Sequence, residues 1–218
     1  MKQTRRTYLA TASALAVGTA AIAGCLDNGE DASAAADTSH ECEITEREPV
    51  DELAQPRLGP DEPTATVTVF EDFGCPGCRD FALGDLSDLK ADFSDEVAFE
   101  HYDFPIPANE NWSEPIANAA RSIQDEHGDE SFFEFSTAAY ENFDDYSWQL
   151  IGDLAEDVGA DPCAVLSDAA NETYAPVLDS NVEEGQQRDI PGTPTVFVDD
   201  QEVDASYDAV QTAIENAE

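Results

Sequence analysis

The sequence predicts an α/β fold in which a helical block is inserted between two sheet-forming halves, and three observations carry that prediction. The run Val67-Thr68-Val69-Phe70 stops at Gly74, gives way to an apolar helical period, and returns as the short strand Val97-Ala98-Phe99. From about residue 108 to 188, apolar residues recur at helical spacing. A second β-branched run, Thr195 to Val198, then precedes an acidic turn and a closing amphipathic stretch.

Residues 1–24 read as an address rather than as structure. Lys2, Arg5 and Arg6 precede the weakly apolar run Tyr8 to Ala23, and Thr4-Arg5-Arg6-Thr7-Tyr8-Leu9 resembles a twin-arginine export signal. That run is rich in Ala, Thr, Ser and Gly and falls short of the roughly 20 strongly apolar residues of a spanning helix. It ends in Ile22-Ala23-Gly24-Cys25, which is similar to the box at which lipoproteins are cleaved and lipidated on cysteine. The expectation is a cleaved signal and a lipid anchor on Cys25, with the mature protein held at the outer face of the cell membrane.

Residues 25–63 shift to Asp, Glu, Ala, Ser and Pro with few large apolar side chains. Such a composition buries little surface against its ordering entropy, so a flexible acidic tether is expected. Residues 64–218, about 155 in number, are long enough for one domain with a good core.

Charge is the strongest compositional signal. The chain has 9 Lys plus Arg against 49 Asp plus Glu, a net −40. Removing residues 1–24 leaves six cations against 49 acids, a net −43. The acids are spread over the whole chain, and their repulsion is screened within about 3 Å at molar salt. This pattern fits a halophilic protein and argues against nucleic acid as a partner.

Within the domain, the strand at 66–71 leads into a helix from Cys75 to about Phe93, and Val97 to Phe99 completes a βαβ unit long enough for a right-handed parallel crossover. Pro105 and Pro107 break the chain before the helices. Ile116, Ala119, Ala120 and Ile123 share one helical face; Phe132, Phe133, Phe135 and Tyr140 suggest a second helix; Trp148, Leu150, Ile151, Leu154 and Val158 give a third, closed by Gly159. Asp161-Pro162 has the form of an N-cap and first turn of a fourth helix, and a last one runs near Tyr174 to Gln187. The turn Asp199-Asp200 would join Thr195–Val198 to a strand at Glu202-Val203, before a helix from Ser206 to the end.

The chemistry lies in Cys75-Pro76-Gly77-Cys78, placed where the first strand turns into a helix. Unpaired N–H groups and the helix dipole stabilise an anion there, so Cys75 is the expected attacking thiolate. Cys78, one turn on along the same face, is placed to close a small disulfide with it or to resolve a mixed disulfide. Pro76 suits a first turn because its missing N–H has no helical partner there. A zinc site would need two more Cys or His at short spacing, and no His lies within ten residues of the pair, so no metal ligands are assigned.

Phe70, Asp72, Phe73, Cys75, Pro76 and Cys78, in the pattern F-x-D-F-x-C-P-x-C, resemble the active site of the DsbA-like branch of the thioredoxin superfamily. Gly192-Thr193-Pro194-Thr195, far downstream, is a second and independent match. The resemblance covers roughly Thr64 to Glu218 and implies a thioredoxin fold with an inserted helical domain. It also implies a cis Thr193–Pro194 bond packed against the redox pair, with Thr193 and Pro194 positioning a substrate backbone. No cofactor is implied. The partners implied are thiols and disulfides of exported proteins and an unidentified redox partner.

Three departures from the family pattern are visible. Several members keep a buried acid six positions before the first cysteine, where this chain has Val69; Glu71 and Asp72 are the substitute candidates for a proton carrier. Strong oxidants of the family commonly have histidine after the motif proline, where this chain has Gly77. The hairpin after Pro194 usually contains glycine, and here it does not. Of the remaining cysteines, Cys42 and Cys163 either form a second, structural disulfide or stand as two separate thiols. His40, His101 and His127 have no motif context and read as ordinary residues.

The sequence thus predicts an extracytoplasmic thiol–disulfide oxidoreductase. Two alternatives remain: a reductase or isomerase using the same site, or a protein delivering Cu(I) through the thiolate pair.

Overall fold

The computed structural model describes residues 28–106 and 111–217. Cys25 and the export signal lie outside the described residues. A five-stranded sheet is formed by β1 (Arg57–Leu58), β2 (Ala65–Glu71), β3 (Val97–Asp103), β4 (Thr195–Val198) and β5 (Gln201–Val203), in the order β1-β3-β2-β4-β5. β2 and β3 are parallel, and the other pairs are antiparallel.

The crossover between β2 and β3 is helical, as the pattern predicts, but it breaks at Gly84 into α2 (Pro76–Leu83) and α3 (Asp85–Phe93). β3 runs four residues beyond the predicted Val97–Phe99. Its extension contains His101 and Asp103, whose burial is satisfied by polar partners rather than by apolar packing.

The helical block consists of α4 (Ser113–His127), α5 (Asp129–Glu141), α6 (Trp148–Asp157), α7 (Pro162–Ala170) and α8 (Ala175–Gln187), all between β3 and β4. The predicted N-cap Asp161 accepts from Cys163 N, and Ser147, which the sequence reading did not single out, caps α6 by accepting from Leu150 N. The block has its own core around Ile116, Ile123, Phe132, Phe135, Ile151 and Leu166. A second cluster, with Val67, Val69, Phe99 and Val196 of the sheet, is closed by α2, α3 and the terminal α9 (Tyr207–Ala217). The β4–β5 turn is built without glycine. Asp199 and Asp200 both take positive φ, 46° and 67°, a conformation that Asp tolerates better than most residues.

The segment expected to be a flexible tether is a correction. Its described part is docked along the body, beginning with an added helix α1 (Asn28–Ala36). Ala35 is buried, Ser39 N donates to Gln149 Oε1 at 2.7 Å, and Arg47 grips Asp168 through Nε and Nη2 at 2.6 and 2.8 Å. Val50 N donates to Thr173 O at 2.9 Å, and β1 pairs with β3. Gly59 follows with φ 111°, against the Val97 backbone, where a Cβ would collide with the carbonyl oxygen. The structure also joins Cys42 to Cys163 in a disulfide across 121 residues. Composition underestimated this segment because a handful of specific anchors hold it, without a continuous apolar face.

Candidate active site

The redox pair lies where the sheet meets the helical block. β2 ends at Glu71, Asp72 to Gly74 form the turn, and Cys75 is the N-cap of α2 with φ −95° and ψ 118°. The turn is held from both sides by the Asp72 carboxyl, which accepts from Gly74 N at 2.7 Å and from Ile106 N at 3.2 Å. Cys75 N in turn donates to Asp72 O at 2.9 Å. Both oxygens of Asp72 therefore serve the loop. Burial raises its pKa, although Ser113 and these backbone donors work against the rise.

The cap position that a polar side chain would often take is given to sulfur. Cys75 makes no side-chain cap, and Pro76 occupies the first helical position, as predicted. Opposite them, the Thr193–Pro194 peptide is cis. The Cys75 thiol donates to Thr193 O at 3.4 Å. Gly77 borders both groups: a Cβ there would lie at ordinary contact distance, 3.4 Å from Pro194 Cδ and 3.7 Å from Cys75 Sγ.

The two thiols are free and differ sharply. Cys75 is 8% exposed, whereas Cys78 has no exposed surface and receives the Asp72 N–H at 3.5 Å on its sulfur. The hydrogen bond from Cys78 lowers the Cys75 pKa most. Burial opposes it, Thr193 and the backbone N–H groups of Cys78 and Gly77 assist, and the result is about 5. For Cys78, burial, its bond to Cys75 and the charge of Glu71 all push the pKa up. One sulfur is thus poised as a nucleophile at neutral pH, and the other is stored as a thiol beneath it.

The predicted residues separate in space. Cys75, Cys78, Thr193 and Pro194 converge at one end of the site, with Asp72 bracing the turn. Glu71 lies on the interior side, 5% exposed, and Cys42 and Cys163 belong to the N-terminal dock. His101, read from the sequence as an ordinary residue, is 3% exposed and bonded to two carboxylates, Glu71 at 3.2 Å and Asp103 at 3.1 Å. Its signal was the alternation Phe99, His101, Asp103 on one face of β3. That alternation acquires meaning only through the parallel register pairing Val69 with His101 and Glu71 with Asp103.

Comparison with known proteins agrees with this geometry. The sequence matches the family described as Thioredoxin over residues 51–216. Disulfide bond formation protein D of Bacillus subtilis is 28% identical over 169 residues, covering 74% of this chain and 76% of that protein. The crystal structure of oxidised BdbD from Bacillus subtilis superposes with a TM-score of 0.69 at 28% identity, over 75% of this chain and 92% of that one. The thiol–disulfide exchange protein α-DsbA2 of Wolbachia pipientis, at 20% identity, and DsbA of Chlamydia trachomatis, at 19%, share the fold, each with a TM-score of 0.65. They cover 75% and 79% of this chain, and 87% and 96% of their own. With a cysteine pair at the start of α2, a cis proline facing it and a helical block between the sheet halves, the chain belongs to the thioredoxin family, in its DsbA-like branch of thiol–disulfide oxidoreductases.

Proposed function

We propose that the protein exchanges disulfides with exported proteins outside the cytoplasm, through Cys75 and Cys78. The observation that carries this reading is the asymmetry of the pair: a Cys75 thiol lowered to about 5 at the start of α2, over a fully buried Cys78. In the oxidising direction, a substrate thiolate attacks Cys75 Sγ of the closed pair, and Cys78 leaves with the electron pair. The substrate's second thiolate then attacks its own sulfur in the mixed disulfide and releases reduced Cys75, and a separate redox partner reoxidises the site. Thr193 and Pro194 form the wall beside Cys75 along which the substrate backbone would lie.

The extracytoplasmic setting rests on the export motif, on the lipid-anchor box at Cys25, and on a Cys42–Cys163 disulfide of the kind that persists in oxidising compartments. Tethering at Cys25 would keep the domain close to the membrane, because the docked segment begins at Asn28. The acidic surface suits surroundings of high salt.

Cys75→Ser is the direct test. It should abolish exchange with a reduced protein substrate while circular dichroism stays unchanged; turnover retained in that variant would refute the assignment. The direction of net flow follows from the reduction potential of the pair. A value near about −120 mV supports donation of disulfides, and one near about −270 mV supports a reductase.

A further inference from the structure

The chain carries two cysteine pairs, and the exchange scheme above uses one of them. The other, Cys42 with Cys163, is bonded across 121 residues and stands on different elements. Cys163 lies in α7, which packs chiefly on α1, α4 and α6, whereas the redox pair opens α2, which packs chiefly on α3 and α5. Closing a bridge between two thiols releases two electrons, and an acceptor has to take them up. The export motif in residues 1–24 resembles one that carries chains already folded, so the acceptor has to work on a finished body.

That sets a structural requirement, namely that both thiols be reachable without unfolding the domain. Residues 41–56 lie in neither helix nor strand. Among the described residues, no hydrogen bond reaches the backbone of Cys42, Glu43 or Ile44. The chain is anchored just before them, by Ser39 on Gln149 and His40 on Asp153, and just after them, where Thr45 N donates to Ser167 Oγ at 3.3 Å and Arg47 grips Asp168. Between these anchors only the bridge and the apolar packing of Cys42 and Ile44 retain the stretch. Without the bridge it lifts as a short extended peptide, with its N–H and C=O groups free, and no hydrogen bond is broken. Anchored on both sides, it presents Cys42 outward, flanked by the exposed Glu41 and Glu43. Cys163 is fixed in the first turn of α7, behind Pro162, and is partly exposed.

We propose that a second copy of this chain is a substrate of the redox pair: the closed Cys75–Cys78 of one copy forms the Cys42–Cys163 bridge of another and so locks down its N-terminal segment. The proposal rests on the disulfide-exchange reading and names one substrate for it. The mobile partner enters first. The Cys42 thiolate, on its extended stretch beside Thr193 and Pro194, attacks Cys75 Sγ, the Cys75–Cys78 bond breaks, and Cys78 leaves with the electron pair. The Cys163 thiolate then attacks Cys42 Sγ. The Cys42–Cys163 bond forms as the bond between the copies breaks, and Cys75 leaves as the thiolate that its contacts stabilise. Two electrons pass to the donor pair. Of the two protons given up by the recipient, one ends on Cys78 and the other in solvent.

The test mixes two full-chain variants in molar salt at neutral pH. The donor, Cys42→Ala with Cys163→Ala, carries a closed Cys75–Cys78 pair; the recipient, Cys75→Ser with Cys78→Ser, is fully reduced. The two differ in mass, so acid quenching, thiol alkylation and mass spectrometry follow each one separately. The recipient, folded by circular dichroism, should gain the Cys42–Cys163 bridge in proportion to donor concentration, about 100-fold faster than with oxidised glutathione at the same concentration. A donor that also carries Cys78→Ser, loaded at Cys75 with an aromatic thiol, should be captured by a recipient with Cys163→Ala and not by one with Cys42→Ala. Closure no faster than with glutathione, while the same donor oxidises an unrelated reduced protein, overturns the proposal and leaves the exchange reading standing. A donor that oxidises neither refutes the exchange reading itself. A reduced recipient that is unfolded overturns the proposal too, because the bridge would then close during folding. Capture through Cys163 instead of Cys42 overturns the order of attack.

Discussion

Replacing both cysteines of the Cys42–Cys163 disulfide with alanine removes a cross-link without introducing a buried polar group. The bridge closes a loop of 121 residues. In the chain-entropy treatment such a loop restricts the unfolded state by about 5 kcal/mol at 25 °C, while measured bridges more often give about 2–4 kcal/mol. The native side should change little, because the Arg47–Asp168 fork, the Val50–Thr173 backbone bond and the β1–β3 pairing hold the same segment independently. The double variant is therefore expected to fold, to keep its exchange activity, and to lose about 2–5 kcal/mol of a total near 5–15 kcal/mol. Urea unfolding of both oxidised proteins in molar salt, followed by circular dichroism, measures the loss. The m-value should rise, since the open chain exposes more surface when it unfolds. A loss below about 1 kcal/mol with an unchanged m-value would refute the reasoning, because the cross-link would then constrain nothing in the unfolded chain.

Two further outcomes follow from charge. Thiolate absorbance of the reduced protein should titrate with a midpoint near pH 5 and vanish in Cys75→Ser, whereas a midpoint near the ordinary thiol value of about 8.5 would contradict the site geometry. The sign for stability is that of a lowered acid: the Cys75 contribution to the reduced fold is fully present above about 8.5 and is lost as pH falls through about 5. With a net −40, transfer from molar to millimolar salt should unfold the protein, and a circular dichroism spectrum unchanged by that transfer would remove the halophilic reading.

What the sequence showed of this fold was what is written locally. The change from strand alternation to helical period across Gly74, with proline at the first helical position, locates the redox pair without reference to anything distant. Thr193–Pro194 was legible only by resemblance, because nothing in its own neighbours announces a partner 118 residues away in Cys75. The docking of residues 28–58 was hidden for a related reason. Its anchors are single residues, Cys42 on Cys163 and Arg47 on Asp168, and composition averages over them. The Glu71–His101–Asp103 cluster depends on the β2–β3 register, which two strands read separately do not reveal.

The same scarcity of positive charge connects the site to the surface. Beyond residue 24 the chain has six cations, and every one is engaged within the fold. Arg47, Arg57, Arg79, Arg121 and Arg188 each meet a carboxylate, and Lys90 lies over the Phe133 ring at 4.4 Å. Five of the six are arginine, whose planar fork can serve several acceptors at once, and Arg121 does so where no solvent reaches. Most of the 49 acids are consequently left to be screened by ions in solution, and their field disfavours a thiolate at Cys75 wherever it is felt. At molar salt that field decays within about 3 Å, while the donors that stabilise the thiolate are in direct contact with it and lose nothing. The low pKa of Cys75 is therefore a property of contacts at the start of α2, and salt preserves it by removing the opposition of distant carboxylates.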